Sequence, residues 1–190
     1  AVETYLRILS DWPKFKDADK VLFFLGHEYR ELGQYEKMIE RYEELVAKHP
    51  SSSLVNDAHV VLGDYRFDRQ DLAAAKGYYQ KILDTPNSPT HDMARFKLGW
   101  VYLNEADYKE AFHQFEAAVK SPNDPDAMST GRDRDRLVNV KREAIIDLAY
   151  AYTEVRKPQG ALEYFRELAT SRQMYLLALN KLAKRYFIKQ

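Results

Sequence analysis

Residues able to move a proton or hold a metal are few and badly spaced. The five histidines, His27, His49, His59, His91 and His113, never fall four apart, so no helix face presents the two imidazoles of a zinc site. The phosphate-binding pattern Gly-x-x-x-x-Gly-Lys, the dinucleotide-binding pattern Gly-x-Gly-x-x-Gly and the zinc-protease pattern His-Glu-x-x-His are missing from the sequence. Asp124, Asp126 and the run Arg132-Asp133-Arg134-Asp135-Arg136 concentrate charge as a calcium loop does. Such a loop needs glycine at its sixth position and glutamate at its twelfth; counted from Asp124 these are Ser129 and Asp135. Alternating arginine and aspartate instead neutralise one another in a solvated loop or helix start, where the arginines also suit an acidic partner. With no cysteine in the chain, disulfides, thiol nucleophiles and thiolate metal sites are excluded. The expectation is no catalytic residue, no metal and no cofactor, and a function that lies in binding.

Composition narrows the partner. Lysine plus arginine (29) equals aspartate plus glutamate (29) over 190 residues, so the positive excess of a general nucleic-acid or acidic-membrane binder is missing. Each arginine between 132 and 136 has an acidic neighbour, and no aromatic platform for base stacking interleaves with them. At 45% hydrophobic and 31% charged residues the chain has the makings of a core, yet it contains no run of about 18 apolar residues to span a membrane. The expected partner is a protein or peptide, with no nucleic acid and no membrane span.

A repeat sets the elements that must position any binding residue. Leu25-Gly26, Leu62-Gly63 and Leu98-Gly99 recur at separations of 37 and 36 residues, and Leu148-Ala149 and Leu182-Ala183 follow after 50 and 34. Twelve residues after each of the first four small residues stand Met38, Ala75, Ala111 and Ala161, and four further on stand Tyr42, Tyr79, Phe115 and Phe165. Three residues after the small position come Tyr29, Tyr102, Tyr152 and Tyr186, with Arg66 as the exception. Such self-similarity marks a repeat architecture.

Each unit reads as two helices, because spacings of three and four put Leu25, Tyr29 and Leu32 on one stripe and Met38, Tyr42, Leu45 and Val46 on another. Turns are expected at Gly33-Gln34-Tyr35, Ala106-Asp107-Tyr108 and Lys157-Pro158-Gln159, and Pro50, Pro86, Pro89 and Pro122 stand where second helices end. A glycine inside a helix costs roughly 1 kcal/mol against alanine. Gly26, Gly63 and Gly99 therefore predict a close approach by the partner helix through Ala75 or Ala111, small residue against small, with Phe115 and its equivalents filling the space towards the next unit. A single pair cannot bury such a face, so stability is expected from stacked neighbours.

The resulting organisation is one array over 1–190. Residues 1–13 form the second helix of a repeat lacking its first, 18–50, 56–87, 92–122 and 141–170 are four complete units, 123–140 is an insertion, and 175–190 is the first helix of a further repeat or a cap. The chain is read as beginning and ending in mid-repeat. Orphaned apolar residues around Tyr5, Ile8, Leu182 and Tyr186 then favour end-to-end self-association.

Leu98, Gly99, Tyr102, Tyr108, Ala111, Phe115, Ala118 and Pro122 together resemble the signature of the tetratricopeptide repeat family. The resemblance implies an all-α, right-handed superhelical solenoid of antiparallel helix pairs that binds proteins in a concave groove lined by the first helices. The long spacing is similar to that of bacterial cell-envelope members of the family, which implies a periplasmic or envelope assembly.

Within a first helix, the residue after the small position, the one three before it and the one four after it share one face. In the four units these are Phe23, His27 and Arg30; Val60, Asp64 and Phe67; Phe96, Trp100 and Leu103; Ile146, Tyr150 and Thr153. Family members that grip a terminal carboxylate use lysine and asparagine at the first two of these places, and neither residue occurs there. The groove set expected to contact a partner is Phe23, His27, Arg30, Asp64, Phe67, Phe96, Trp100, Leu103 and Tyr150. Its mostly apolar character points to an apolar or amphipathic segment, with Trp100 as an aromatic anchor. The alternative is a structural spacer within a larger repeat protein, with no groove ligand.

Overall fold

The computed structural model describes residues 1–86, 88–122 and 131–189, with the backbone alone for 131–138. Among these residues the regular elements are ten α-helices and no strand. They are α1 (Val2–Asp11), α2 (Ala18–Glu31), α3 (Tyr35–Lys48), α4 (Val55–Asp68) and α5 (Leu72–Leu83), then α6 (His91–Asn104), α7 (Tyr108–Val119), α8 (Gly131–Val155), α9 (Ala161–Leu168) and α10 (Arg172–Ile188). Two compact units divide the chain, Ala1–Ile82 and Leu83–Gln190. In the first unit α2 packs on α3, and α4 meets α5 through Tyr79. In the second α6 packs on α7, and α8 meets α9 through Tyr152 and Phe165. The six described prolines, Pro13, Pro50, Pro86, Pro89, Pro122 and Pro158, all fall between helices, where a missing N–H breaks no ladder.

Three first helices end in the same way. Gly33, Gln70 and Ala106 take left-handed backbone angles, with φ of 69, 62 and 58°. In each case the next N–H reaches back five residues, from Gln34 to the Tyr29 carbonyl at 2.8 Å, from Asp71 to Arg66 at 3.0 Å and from Asp107 to Tyr102 at 2.9 Å. These bonds satisfy carbonyls that a helix end would otherwise leave unpaired and reverse the chain into the second helix. The Asp107 carboxylate then accepts from the Glu110 N–H at 3.0 Å to cap α7, and the Asp71 carboxylate accepts from Ala74 at 3.2 Å at the start of α5.

The glycines do not meet small residues, which corrects the sequence expectation. A Cβ on Gly26 would stand 2.9 Å from Cζ of Tyr42, one on Gly63 2.5 Å from Cε1 of Tyr79, and one on Gly99 would overlap the Phe115 ring. Each glycine makes room for the aromatic sixteen residues later in its own unit, so the ring fills the seam inside the pair. Tyr42, Tyr79 and Phe115 are closed to solvent as a result. Ala149 and Phe165 hold the corresponding places in the fourth pair and are equally closed.

Around these rings lie two cores. Leu22, Leu25, Met38, Leu45 and Leu62 surround Tyr42 in the first unit. In the second, Phe112, Ile145, Leu148, Tyr152 and Phe165 join Phe115, and the Arg156 guanidinium lies 4.6 Å from the centre of the Phe112 ring. Burial of each large apolar side chain contributes about 1.5–3 kcal/mol. Tyr102 is half-buried against this core, whereas Tyr29 and Tyr152 at the same repeat position are buried. Helix α8 is already helical at Gly131, within the segment read as an insertion. Asp124, Asp126 and the side chains of Arg132 to Arg136 lie outside the described residues.

Candidate protein-binding face

In the second unit the residue after the small position anchors a connected set of side chains running over three first helices. Trp100 on α6 keeps 38% of its surface exposed while its ring meets Phe115 edge-on, centroids 6.5 Å apart. The indole is also among the groups that pull down the carboxyl of Asp147 on α8, as the weakest of its influences. Phe96, one turn earlier on α6, lies 5.9 Å from the same Phe115 ring, and Leu103 packs against the same core. Trp100 is therefore braced by Phe115, with the rest of its surface partly open.

Asp147 leads on to Tyr150, three residues along α8. The Arg185 guanidinium of α10 lies 4.1 Å from the centre of the Tyr150 ring, and Lys181 stands 5.8 Å from it. Arg185 also donates to Glu154 at 2.7 Å. Lys189 pairs with the same carboxylate at 2.8 Å and donates to the Thr153 carbonyl. Burial alone would raise the Glu154 carboxyl, but the hydrogen bonds from Lys189 and Arg185 hold it below the ordinary carboxylate value. Asp147 differs: it is 9% exposed, and burial pushes its carboxyl up to about 6 against the pull of Lys181.

The first unit arranges its expected residues less tightly. Phe23 is half-buried with its ring 5.5 Å from Tyr42, His27 is exposed on the next turn, and Phe67 is half-buried on α4. Arg30 and Asp64 border a cavity of about 130 Å³ together with Tyr35, Tyr65, Asp68 and Arg69. The Asp64 carboxylate accepts from the Tyr79 hydroxyl at 2.6 Å; burial and this acidic neighbour push the Tyr79 hydroxyl well above its ordinary value. Arg69 stacks on Tyr65, 3.7 Å from its centroid, and reaches Tyr35 at 5.3 Å.

Sequence reasoning overlooked Asp147, Lys181 and Arg185. Asp147 had a readable signal, a lone acid between Ile145-Ile146 and Leu148-Ala149, because a charge inside an apolar helical run needs a partner. The basic residues of α10 read simply as a solvated face. Among the described residues no group of three or more His, Asp or Glu side chains is placed to hold a metal, and no helix is long and apolar enough to cross a membrane.

The tetratricopeptide repeat family model matches residues 25–92 and 61–127, together more than half of the chain. The chain belongs to the tetratricopeptide repeat family. Among solved structures it is similar to two crystal structures of MamA. One is 18% identical with a TM-score of 0.57, covering 97% of this chain and 88% of that one. The other is 19% identical with a TM-score of 0.58, covering 100% of this chain and 85% of that one. These likenesses show the fold, an all-α array of antiparallel helix pairs. No curated protein matches the sequence. In general terms the fold is that of a protein-interaction scaffold.

Proposed function

We propose that the chain is a non-catalytic scaffold that receives an apolar or amphipathic protein segment on its first-helix face, anchored at Trp100. The supporting observation is the indole itself: an exposed aromatic braced by Phe115 loses little freedom when a partner covers it, which is the property of a hot spot. Phe96, Leu103 and Tyr150 extend the surface around it, and Phe23, His27, Arg30, Asp64 and Phe67 supply the corresponding face of the first unit. The 36- and 37-residue repeat spacing, similar to that of envelope members of the family, supports a place in a larger bacterial envelope assembly.

The test is selection of a phage-displayed random 12-residue peptide library on the folded chain. Selected peptides should shift Trp100 emission to the blue in a Trp12→Phe background. They should lose about 30-fold in affinity on Trp100→Ala, the equivalent of about 2 kcal/mol, with circular dichroism confirming that the variant is folded. Failure to select any Trp100-dependent peptide would favour the structural spacer.

End-to-end self-association is a second reading, favoured by a separate observation. Phe187 and Ile188 near the end of α10 are 79% and 71% exposed, and Leu176 on α10 and Leu6 and Trp12 at α1 are exposed as well.

A further inference from the structure

Arg69, at the C-cap of α4, is held by rings on its faces and open along its edge. Its guanidinium carbon lies 3.7 Å from the centre of the Tyr65 ring and 5.3 Å from that of Tyr35, and the two rings stand 5.7 Å apart. A guanidinium carries its N–H donors in its own plane, so stacking engages the π faces and leaves the donor fork unused. Arg66, three residues earlier, pairs with Asp71 at 3.8 Å. Among the described residues neither Arg69 nor Arg30 makes an ion pair or a hydrogen bond through its guanidinium, and both are exposed.

Both arginines border the cavity of about 130 Å³ in the first unit. At roughly 30 Å³ per water it has the space of about four waters, which suits a carboxylate with a methylene or two. Met38 and Val61 supply apolar wall for the methylenes. The two acids of the lining do not use the donor forks: Asp64 accepts from the Tyr79 hydroxyl at 2.6 Å, and Asp68 is exposed and pairs with neither arginine. A basic ligand would have to displace Arg69 from the rings that hold it, whereas an acidic one meets donors already in place. We infer that the first unit binds a protein segment through an aspartate or glutamate side chain whose carboxylate is received by Arg69 and Arg30. Such charge-assisted pairs are directional, and a guanidinium fixed by two rings has little freedom left to lose. The inference shares with the proposed function only that the ligand is a protein segment; it stands on the first unit alone and needs neither Trp100 nor a chain end.

The test selects the 12-residue library on the Trp100→Ala chain, which makes its outcome independent of whether any Trp100-dependent peptide exists. Display from the N-terminus of the coat protein leaves no peptide a free carboxyl end, so only side chains can supply the carboxylate. Selected peptides should carry an aspartate or glutamate whose change to asparagine or glutamine weakens binding about 10-fold or more. The double variant Arg30→Gln, Arg69→Gln, in the same background, should lose affinity for the acidic peptides by a similar factor and bind the neutral ones unchanged, with its fold checked by thermal unfolding. Arg30→Gln alone, at an exposed position, should cost about 3-fold or more and supplies the measurement if the double variant unfolds. Acidic peptides that bind the arginine variants as well as the parent would overturn the inference. Enrichment in lysine or arginine would overturn it by placing the contact on Asp64 and Asp68, and so would a selection that yields no acidic peptide.

Discussion

Gly99 faces the ring of Phe115 so closely that a single added carbon would overlap it. The pair ties α6 to α7 without any polar contact, and the same relationship at Gly26 with Tyr42 leaves a little more room, 2.9 Å at its nearest. Gly99→Ala should therefore destabilise the chain by about 1–3 kcal/mol, since a fully buried ring in a packed core has nowhere to retreat, despite the gain in helix propensity of roughly 1 kcal/mol. Gly26→Ala should cost less. Equal or increased stability of Gly99→Ala in urea unfolding would show that Phe115 yields, and the packing account of the repeated glycine would fail.

Gln70 and Ala106 adopt the left-handed conformation that Gly33 adopts at the same point of its own unit. A residue with a Cβ pays roughly 1–2 kcal/mol there, against a smaller entropic cost for glycine. Ala106→Gly and Gln70→Gly should each raise stability by about 0.5–1 kcal/mol. Lower unfolding midpoints for both variants would mean that the side chains make compensating contacts.

Two buried ionisable groups oppose one another in acid. Burial pushes the Asp147 carboxyl from 3.8 up to about 6, so the folded chain holds this proton longer than the unfolded chain, and the stability it lends is lost as pH rises from about 4 to about 6. Burial, with Lys81 nearby, takes the His59 imidazole from 6.5 down to about 4, and neither of its ring nitrogens has a hydrogen-bond partner. The unfolded chain therefore binds that proton first, and stability falls as pH drops from about 6.5 to about 4. Asp147→Asn should stabilise the chain by about 1–3 kcal/mol at pH 7 and by much less at pH 4, whereas His59→Leu should bring its larger gain at pH 4. Denaturation at the two pH values separates them, and a pH-independent gain for either variant would refute its assignment.

Periodicity made the helices legible because every unit solves the same packing problem with the same few residues. Leu25, Leu62 and Leu98 mark the buried stripe by their recurrence alone, and all three are closed to solvent. The partner of each glycine was not legible in the same way. Ala111 and Phe115 lie four residues apart on one face of α7, and spacing cannot say which of them reaches Gly99; the depth of the seam decides. The first-helix positions single out Trp100 as a candidate, but that its ring rests edge-on against Phe115 depends on how α6 and α7 pack. Likewise the bond from the Tyr79 hydroxyl to the Asp64 carboxylate joins α4 to α5, a relation that spacing within one helix does not show.

The exposed apolar residues of α10 lead to a prediction for the chain in solution. Phe187 and Ile188 stand largely clear of the core formed by Leu182 and its neighbours, and Trp12, just after α1, is similarly open. Sedimentation velocity should reveal association that grows with protein concentration, since contiguous apolar surface of this kind seeks cover. Phe187→Ser combined with Ile188→Ser should suppress that association while shifting stability by no more than about 0.5 kcal/mol each, as expected of exposed positions. A wild-type chain that stays monomeric at every concentration, or a double variant that associates as strongly, would remove the self-association reading.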